Sequence, residues 1–442
     1  MAAIGQADDT ALLSNDLHQL QCLLDLSISY CEKHQVQLST SKTKLLVFTK
    51  KNTDYVKYSR LLSPLHIGKD VIPFSSTAEH VGVLRSTGGN LPHILNRISS
   101  HKRALGQILR MGMSRQHRAN PIAVLRAETV FTTPVLMSGV ASLLLSKTEA
   151  DTLFLHIKET TESLLKLHRK TPAPVVFFLA GRLPGEAQLH LKQLTIFGMI
   201  CRLPGNVLNT VAHHLLTYTS SRNWFSDIKS ICYTYHLPHP LTLLKEPPNK
   251  DIWKNICKAH VTDFWQNKLR EQSKQLKSLE FFKPQFMSLC KPHPMWSFAT
   301  TSYKVNKCVT VSRMLSGRFR CGSLLRHMYP SVSGVCELCG EECEDLPHIV
   351  LTRCPFLKAR AENLLEYARA TLLQSKTATD IFFNTFKSKD DKAIVQMLLD
   401  PSVVPEIIAA TQKEAQVLQL IMSVTTTWCY TLNRARIKLL GK

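Results

Sequence analysis

The spacing of hydrophobic positions changes near residue 90 of this chain. Before that point, short apolar runs bounded by turn residues predict strands at 10–13, 45–48, 71–74 and 81–84. Between the first two runs, leucines recur on one helical face, and Asn15 or Asp16 can cap a helix running to about His34. The first 88 residues therefore read as a small α/β unit that closes at the Gly88-Gly89 pair.

From residue 91 onward the apolar positions follow a helical period. Helices are predicted near 91–111, 121–145, 149–169, 186–201, 206–217, 222–235 and 251–275. Proline-rich breaks separate several of them, and the break at 291–294 is interpreted as a linker into a last module. The predicted fold class is α+β, a small α/β unit followed by a mostly helical body, in four segments: 1–88, 89–170, 171–290 and 291–442.

Charge is the strongest compositional signal, with 55 Lys and Arg against 33 Asp and Glu and a net charge of +22. No acidic residue lies between Glu79 and Glu128, or between Phe281 and Cys336. The first window holds the basic residues Arg85, Arg97, Lys102, Arg103, Arg110, Arg115, Arg118 and Arg126. The second window holds Lys283, Lys291, Lys304, Lys307, Arg313, Arg318, Arg320 and Arg326.

Solvated helices usually interleave both signs of charge, because acidic and basic side chains one turn apart stabilise them. A window of one sign is favoured where phosphates supply the missing negative charge. Nucleic acid is therefore the leading partner, ahead of an acidic membrane surface, and a basic protein without a polyanion partner is the remaining alternative. His101 in the first window is interpreted as a phosphate contact or as a residue without a role. The aromatic residues of the second window are interpreted as core in preference to base-stacking side chains: Trp296, Phe298, Tyr303 and Phe319.

The 13 cysteines are mostly scattered singly, and the first residues lack the charged and apolar regions of a signal peptide. This pattern indicates an intracellular protein with reduced thiols, in the nucleus or the cytoplasm. The most apolar run, 175–181, is too short to span a bilayer, so no membrane is expected among the partners. The sequence shows no Ser-His-Asp triad, phosphate-binding glycine loop or dinucleotide fingerprint.

Two adjacent carboxylates, Asp8 and Asp9, precede the first predicted strand. Such a pair can bind Mg²⁺, a hard cation that prefers oxygen ligands. In nucleotidyl transfer, two such ions activate the attacking hydroxyl and stabilise the leaving group. Taken alone, such a pair is usually a solvated turn or a helix cap.

The surroundings of this pair resemble LINE-type (non-LTR) retrotransposon reverse transcriptases. Ala7-Asp8-Asp9 is similar to their catalytic signature, and 38–48, with Lys42, is similar to the block that follows it. Residues 79–85 resemble the primer-grip hairpin, and 133–139 and 183–186 resemble the region after the palm. The resemblance implies the end of a palm up to residue 88 and a thumb over 89–170 that tracks nucleic acid. It also implies catalytic metal ligation at Asp8 and Asp9 and a nucleic-acid contact at Lys42.

The sequence also departs from that family. Gln6 stands where an aromatic residue is usual and Ser39 where Asn is usual. A further metal-binding Asp and a glycine-containing template block would lie upstream of Gln6. The expectation is therefore a C-terminal part of a reverse transcriptase that binds RNA, DNA or RNA–DNA hybrid without polymerising alone. A catalytically dead remnant acting as a zinc-dependent interaction module, and an active polymerase encoded with an upstream exon, remain as alternatives.

Cysteine and histidine are clustered near residue 340 with the spacing Cys-x₂-Cys-x₈-His-x₅-Cys. The candidate ligands are Cys336, Cys339, His348 and Cys354, a soft set that suits tetrahedral zinc and leaves no position for water. A structural zinc is therefore predicted, with reduced core cysteines and a surface histidine as the alternative. Cys343 is a further candidate ligand, although it crowds Cys339. The order also resembles the C-terminal knuckle of LINE-type elements, and Arg313, Arg318, Arg320 and Arg326 just before it are expected to grip RNA or DNA.

Overall fold

The computed structural model describes residues 2–6, 9–48, 64–113, 119–218, 221–340, 343–388 and 390–441. Within these ranges the chain is mostly helical, and its strands form three small antiparallel hairpins. The α+β prediction is therefore confirmed at this coarse level. The paired strands are β1 Ala2–Gln6 with β2 Asp9–Leu13, β3 Leu65–Ile67 with β4 Asp70–Ile72, and β5 Thr77–His80 with β6 Val83–Ser86.

The first helix, α1, spans Leu17–Lys33 and begins as the sequence predicts. The Asp16 carboxylate accepts hydrogen bonds from the backbone N–H groups of His18 (2.6 Å) and Gln19 (3.3 Å), which would otherwise lack partners. Leu24 is buried and packs with Leu45, Leu65 and Ile72 in a small core that belongs to this N-terminal unit.

The strand predicted at 45–48 is wrong, and the strand predicted at 81–84 begins two residues later, at Val83. In 45–48 only Leu45 pairs, through a single bridge to Phe74, and Phe48 is 64% exposed. Leu45 donates to the Pro73 carbonyl oxygen (3.1 Å) and accepts from the Ser75 N–H (2.9 Å). Pro73 itself has no N–H to donate, and β4 ends at Ile72. Val81 and Gly82 form the turn of the β5–β6 hairpin, with φ of 50° and 69°, instead of opening a strand.

The helical body follows the predicted order, with α2 at Leu91–Ile108. The later helices are α3 Pro121–Ala127, α4 Thr133–Met137, α5 Lys147–Leu164, α6 Ala173–Ala180, α7 Gly185–Cys201, α8 Val207–Tyr218, α9 Trp224–Thr234, α10 Pro240–Lys245, α11 Lys250–Lys274, α12 Ser302–Leu315, α13 Gly322–Met328, α14 Leu346–Val350, α15 Pro355–Leu372, α16 Lys376–Lys387, α17 Asp391–Leu399, α18 Pro405–Lys413 and α19 Gln416–Leu439. The single helix predicted over 121–145 is wrong. A π-helical turn at Glu128–Thr132 and the lack of an N–H on Pro134 divide it, and Gly139 ends α4 with φ of 72°.

The predicted linker at 291–294 is also wrong, because the segment packs against the helical body with His293 buried, while Lys291 and Pro294 are exposed. His293 is 3% exposed, and its Nε2 lies 3.1 Å from the buried carboxylate of Asp400. The backbone of 291–292 runs so close to Gly181 that a Cβ there would lie 2.2 Å from the Lys291 carbonyl carbon. The largest core accordingly takes residues from Ile122 through Leu432, across three of the four predicted segments.

Candidate metal centre and basic surfaces

The structure brings the four predicted zinc ligands together. The Sγ atoms of Cys336, Cys339 and Cys354 and a ring nitrogen of His348 all lie within 4.8 Å of one another. The Gly340 N–H donates to the Cys336 carbonyl oxygen (2.9 Å), and Gly340 has φ of 70°, so the chain turns back tightly after the cysteine pair. His348 lies on α14, which the Asp345 carboxylate caps by accepting from the His348 N–H (2.7 Å).

The donor set fits a soft divalent cation. Cys336, His348 and Cys354 are at most 2% exposed, while Cys343 is exposed and lies outside the cluster. Burial and the neighbouring Cys336 thiol raise the pKa of Cys354 to about 12, because a second negative charge in this pocket is unfavourable. Bound Zn²⁺ would supply the positive charge that thiolate ligands need. The cluster can therefore hold a metal, and its four protein ligands leave no position for a substrate.

A buried carboxylate stands behind this cluster. Glu344 is 4% exposed, and its Oε1 lies 4.0 Å from the Sγ of Cys336. Arg436 on α19 donates two charge-assisted hydrogen bonds of 2.6 Å to the Glu344 carboxylate, from Nε to Oε1 and from Nη2 to Oε2. The sequence pattern gave no hint of this pair, because its members lie 92 residues apart.

Several cations of the first basic window are exposed on α2 and in the turn that follows it. The helix buries Ile94, Ile98 and His101 and exposes Lys102 and Arg103, and Arg110 is exposed in the π-helical turn Leu109–Met113 that follows it. Lys42 in the N-terminal unit is also exposed.

One predicted nucleic-acid contact of this window, Arg97, is bound within the protein. Arg97 is half-buried, and its Nη2 donates to the Gly82 carbonyl oxygen in the turn of the β5–β6 hairpin. Arg97 therefore already has an internal partner. Arg115 and Arg118 lie outside the described residues.

The prediction for His101 is wrong, because this side chain is fully buried in a polar network. Its Nε2 lies 3.1 Å from the Glu128 carboxylate, and its Nδ1 lies 3.0 Å from Nε2 of His156 on α5. Arg182 (2.8 Å) and the Thr133 hydroxyl (2.9 Å) also donate to Glu128. Burial alone would raise the pKa of Glu128, but the hydrogen bond from His101 and the charge of Arg182 hold it below its ordinary value. The network fixes α2 to the helices beneath it.

The basic side chains of the second window differ in exposure and in their internal partners. Arg320 and Arg326 are exposed and Arg318 is half-buried, whereas Arg313 donates from Nε to the Lys166 carbonyl oxygen (3.0 Å). Lys307 is 9% exposed, donates to the Thr427 hydroxyl (2.8 Å), and has a pKa lowered by burial.

The aromatic residues of that window divide between interior and surface. The interpretation as core is confirmed for Trp296, which is 2% exposed and donates from Nε1 to the Leu179 carbonyl oxygen. Phe298 and Phe319 are half-buried and pack against the largest core. Tyr303 is 49% exposed, and its ring centroid lies 4.4 Å from Nζ of Lys307.

Of the two predicted Mg²⁺ ligands, only Asp9 lies within the described residues. Asp8 lies outside the described residues, and Asp9 is exposed at the start of β2. Among the described residues, no cluster of three or more metal-binding side chains forms besides the Cys/His group, so Asp9 has no carboxylate set around it.

Comparisons with models of protein families, with curated proteins and with solved structures each gave no match. Of the helices in the described ranges, none combines the length and the apolar character that crossing a bilayer requires. The functional assignment consequently rests on the residues of this chain.

Proposed function

We propose that this chain is a nucleic-acid-binding protein of the LINE-type reverse-transcriptase lineage that grips RNA, DNA or RNA–DNA hybrid through two basic surfaces. The α2 surface consists of Lys102 and Arg103 on α2 and Arg110 in the π-helical turn that follows it. The knuckle surface consists of Arg318, Arg320 and Arg326, and a structural zinc stabilises the module that carries it.

The observation that carries the proposal is the unneutralised positive charge of α2. Lys102, Arg103 and Arg110 are exposed, and the described ion pairs do not include them. The acid that closes the window, Glu128, is turned inward and shared between His101 and Arg182. Phosphates of a nucleic-acid backbone are the natural counter-charge for such a surface.

The lineage rests on the sequence resemblance. A small unit with strands precedes a long helical body, and a Cys/His group lies in the C-terminal part. In this proposal α2 acts as a thumb helix that follows the backbone of the nucleic acid, which contributes affinity without reading sequence.

Charge reversal on α2 tests the proposal. We expect the variant K102E/R103E/R110E to bind single-stranded RNA and RNA–DNA hybrid far more weakly than the wild type. The slope of log affinity against log salt should become shallower by about 2 to 3, at 0.7–0.9 per lost phosphate contact. The matched control is K358E/R360E/K376E, which changes the net charge equally at exposed sites on α15 and α16. Equal loss of binding in both variants would show that only net charge matters, and would contradict the proposed α2 surface.

A further inference from the structure

Glu344 lies where the metal cluster, the knuckle surface and the C-terminal helix meet. Its carboxylate accepts from Arg436 on α19, and its Oε2 also accepts from the Gly322 N–H (2.7 Å) at the start of α13. Its Oε1 lies 4.0 Å from Sγ of the metal ligand Cys336. A single buried side chain therefore contacts three parts of the molecule.

The backbone of Glu344 reinforces the same junction. The Ser323 N–H donates to the Glu344 carbonyl oxygen (2.9 Å), and the Glu344 N–H donates to the Gly334 carbonyl oxygen (2.9 Å). Gly322 packs so tightly that a Cβ would lie 2.6 Å from the Gly334 oxygen. The start of α13 is thus pressed against the segment that enters the metal cluster.

The basic side chains of the knuckle surface flank this junction. Arg318 and Arg320 lie just before Gly322, and Arg326 lies on α13 itself. Arg326 also packs against Gly334, where a Cβ would lie 2.9 Å from its Cδ. The positions of the two exposed cations, Arg320 and Arg326, therefore depend on the contacts that Glu344 makes.

Metal binding and the position of Glu344 are linked through direct contacts. The Sγ of Cys336 lies 4.0 Å from Glu344 Oε1, and the Glu344 N–H donates to the carbonyl oxygen of Gly334, two residues before Cys336. Arg436 holds the same carboxylate through both of its oxygens. Outer-shell partners of this kind orient metal ligands and affect metal affinity.

We infer that Glu344, held by Arg436, couples metal binding at the Cys/His cluster to the arrangement of the knuckle surface, so that nucleic-acid binding by Arg320 and Arg326 requires the metal. This inference rests on the proposed function. It assigns Glu344 and Arg436 as positioning residues and makes the metal a condition for one of the two basic surfaces.

Hydrogen exchange of the full chain, measured without nucleic acid, is the first test. Chelation should lower the protection of the peptide spanning 318–326 by about tenfold or more, because the Gly322 and Ser323 amides lose their acceptors. The variant E344Q should lose protection there even when loaded with one zinc, whereas E366Q, at an exposed glutamate on α15, should behave as wild type. Unchanged protection of 318–326 after metal removal would overturn the coupling.

Zinc affinity, measured by competition with a chelator, supplies an independent readout. We expect R436M to bind zinc about 10 to 100 times more weakly, and R436K, which keeps the charge, to recover part of the loss. R434M removes a neighbouring exposed charge on α19 and is the matched control. Equal zinc affinity in R436M, R434M and wild type would show that Arg436 has no positioning role.

The third test measures the salt dependence of single-stranded RNA binding by the wild type and by R320A/R326A, each before and after chelation. Chelation should make the wild-type salt slope shallower by about 1.5, as the loss of two phosphate contacts would. The same treatment should leave the slope of R320A/R326A unchanged. An equal effect of chelation on both proteins would overturn the inference and leave the proposed function intact. No salt-dependent binding by the metal-loaded wild type would overturn both.

Discussion

At the scale of single residues, the buried carboxylate of Glu128 is the clearest stability determinant of the helical body. Its residue is 1% exposed and its carboxylate is bound by Arg182, His101 and Thr133. Removing one partner of a buried ion pair is costly, because the other charge stays desolvated without compensation.

We therefore predict that E128Q lowers the free energy of unfolding by about 3 kcal/mol or more. Urea denaturation measures this, and the exposed-site control E366Q should change the same quantity by less than about 0.5 kcal/mol. A loss below about 1 kcal/mol in E128Q would mean that the network does not hold α2 in place.

His156, in the same network, makes stability depend on pH. Burial and the adjacent His101 lower the pKa of His156 from 6.5 to about 4. Between these values the unfolded chain binds more protons than the folded chain. The stability linked to His156 is therefore fully present above pH 6.5 and is lost as the pH falls toward 4.

The corresponding prediction concerns H156Q, whose side-chain amide can still donate to His101. Between pH 4.5 and 6.5, its free energy of unfolding should fall less steeply than that of the wild type, by about 1.4 kcal/mol per pH unit. Urea denaturation at several pH values gives the slopes. H213Q, at an exposed histidine on α8, should match the wild type. Parallel slopes for all three proteins would contradict the assignment of His156 as a buried neutral group.

Some functional residues could be predicted from the sequence, and others become apparent only in the folded structure. The four candidate zinc ligands could be named from spacing alone, because two of them share one turn and the others follow closely. Glu344 with Arg436, and His101 with Glu128 and Arg182, could not, because their partners come together only through helix packing. The lack of acidic residues in the two basic windows indicated basic surfaces. It could not distinguish the exposed Arg103 from the buried Lys307.

At the scale of elements, the metal knuckle should fold as a unit with its cation. We predict one zinc per chain, lost in C339S/C354S and retained in C290S/C343S, whose cysteines are exposed and lie outside the cluster. Metal analysis of the purified proteins gives the stoichiometry. Far less than one zinc in the wild type, or an unchanged content in C339S/C354S, would refute the metal site.

Removal of the metal with a chelator should loosen residues 321–354 first, because binding of a structural zinc is coupled to local folding. The separate core formed by residues from Val83 to Leu189 contains no residue of 321–354 and should stay folded. Limited proteolysis after chelation should therefore cut within 321–354 and spare 83–189. Early cleavage in 83–189 would show that the metal stabilises the whole chain.

Elements were predicted well where capping and helical period agree, as at Asp16 and α1. They were predicted poorly where proline and glycine chemistry decides the backbone. The Val81-Gly82 turn moved the start of an expected strand to Val83, β4 ends before Pro73, and Pro134 divided an expected helix. The proline-rich stretch near 171–174 opens a helix, α6, because proline is well tolerated in the first turn.

At the scale of the whole molecule, the Asp8-Asp9 pair raises the question of polymerase activity. Two-metal catalysis needs several carboxylates around ions about 4 Å apart. The described residues place no such set beside Asp9. We therefore predict no primer extension by this chain on a homopolymer template with Mg²⁺ or Mn²⁺. Incorporation above background that disappears in D8N or D9N would overturn this prediction.

The central claim is that the chain binds nucleic acid through exposed cations, and the salt dependence of wild-type binding tests it most directly. If the six cations of the α2 and knuckle surfaces each neutralise a phosphate, log affinity for single-stranded RNA should fall with log salt with a slope of about −4 to −5. The measurement requires zinc-loaded protein and a titration between low and physiological salt. A slope near −4 to −5 is the predicted result. An affinity that does not change with salt, or no binding at low salt, would contradict the claim.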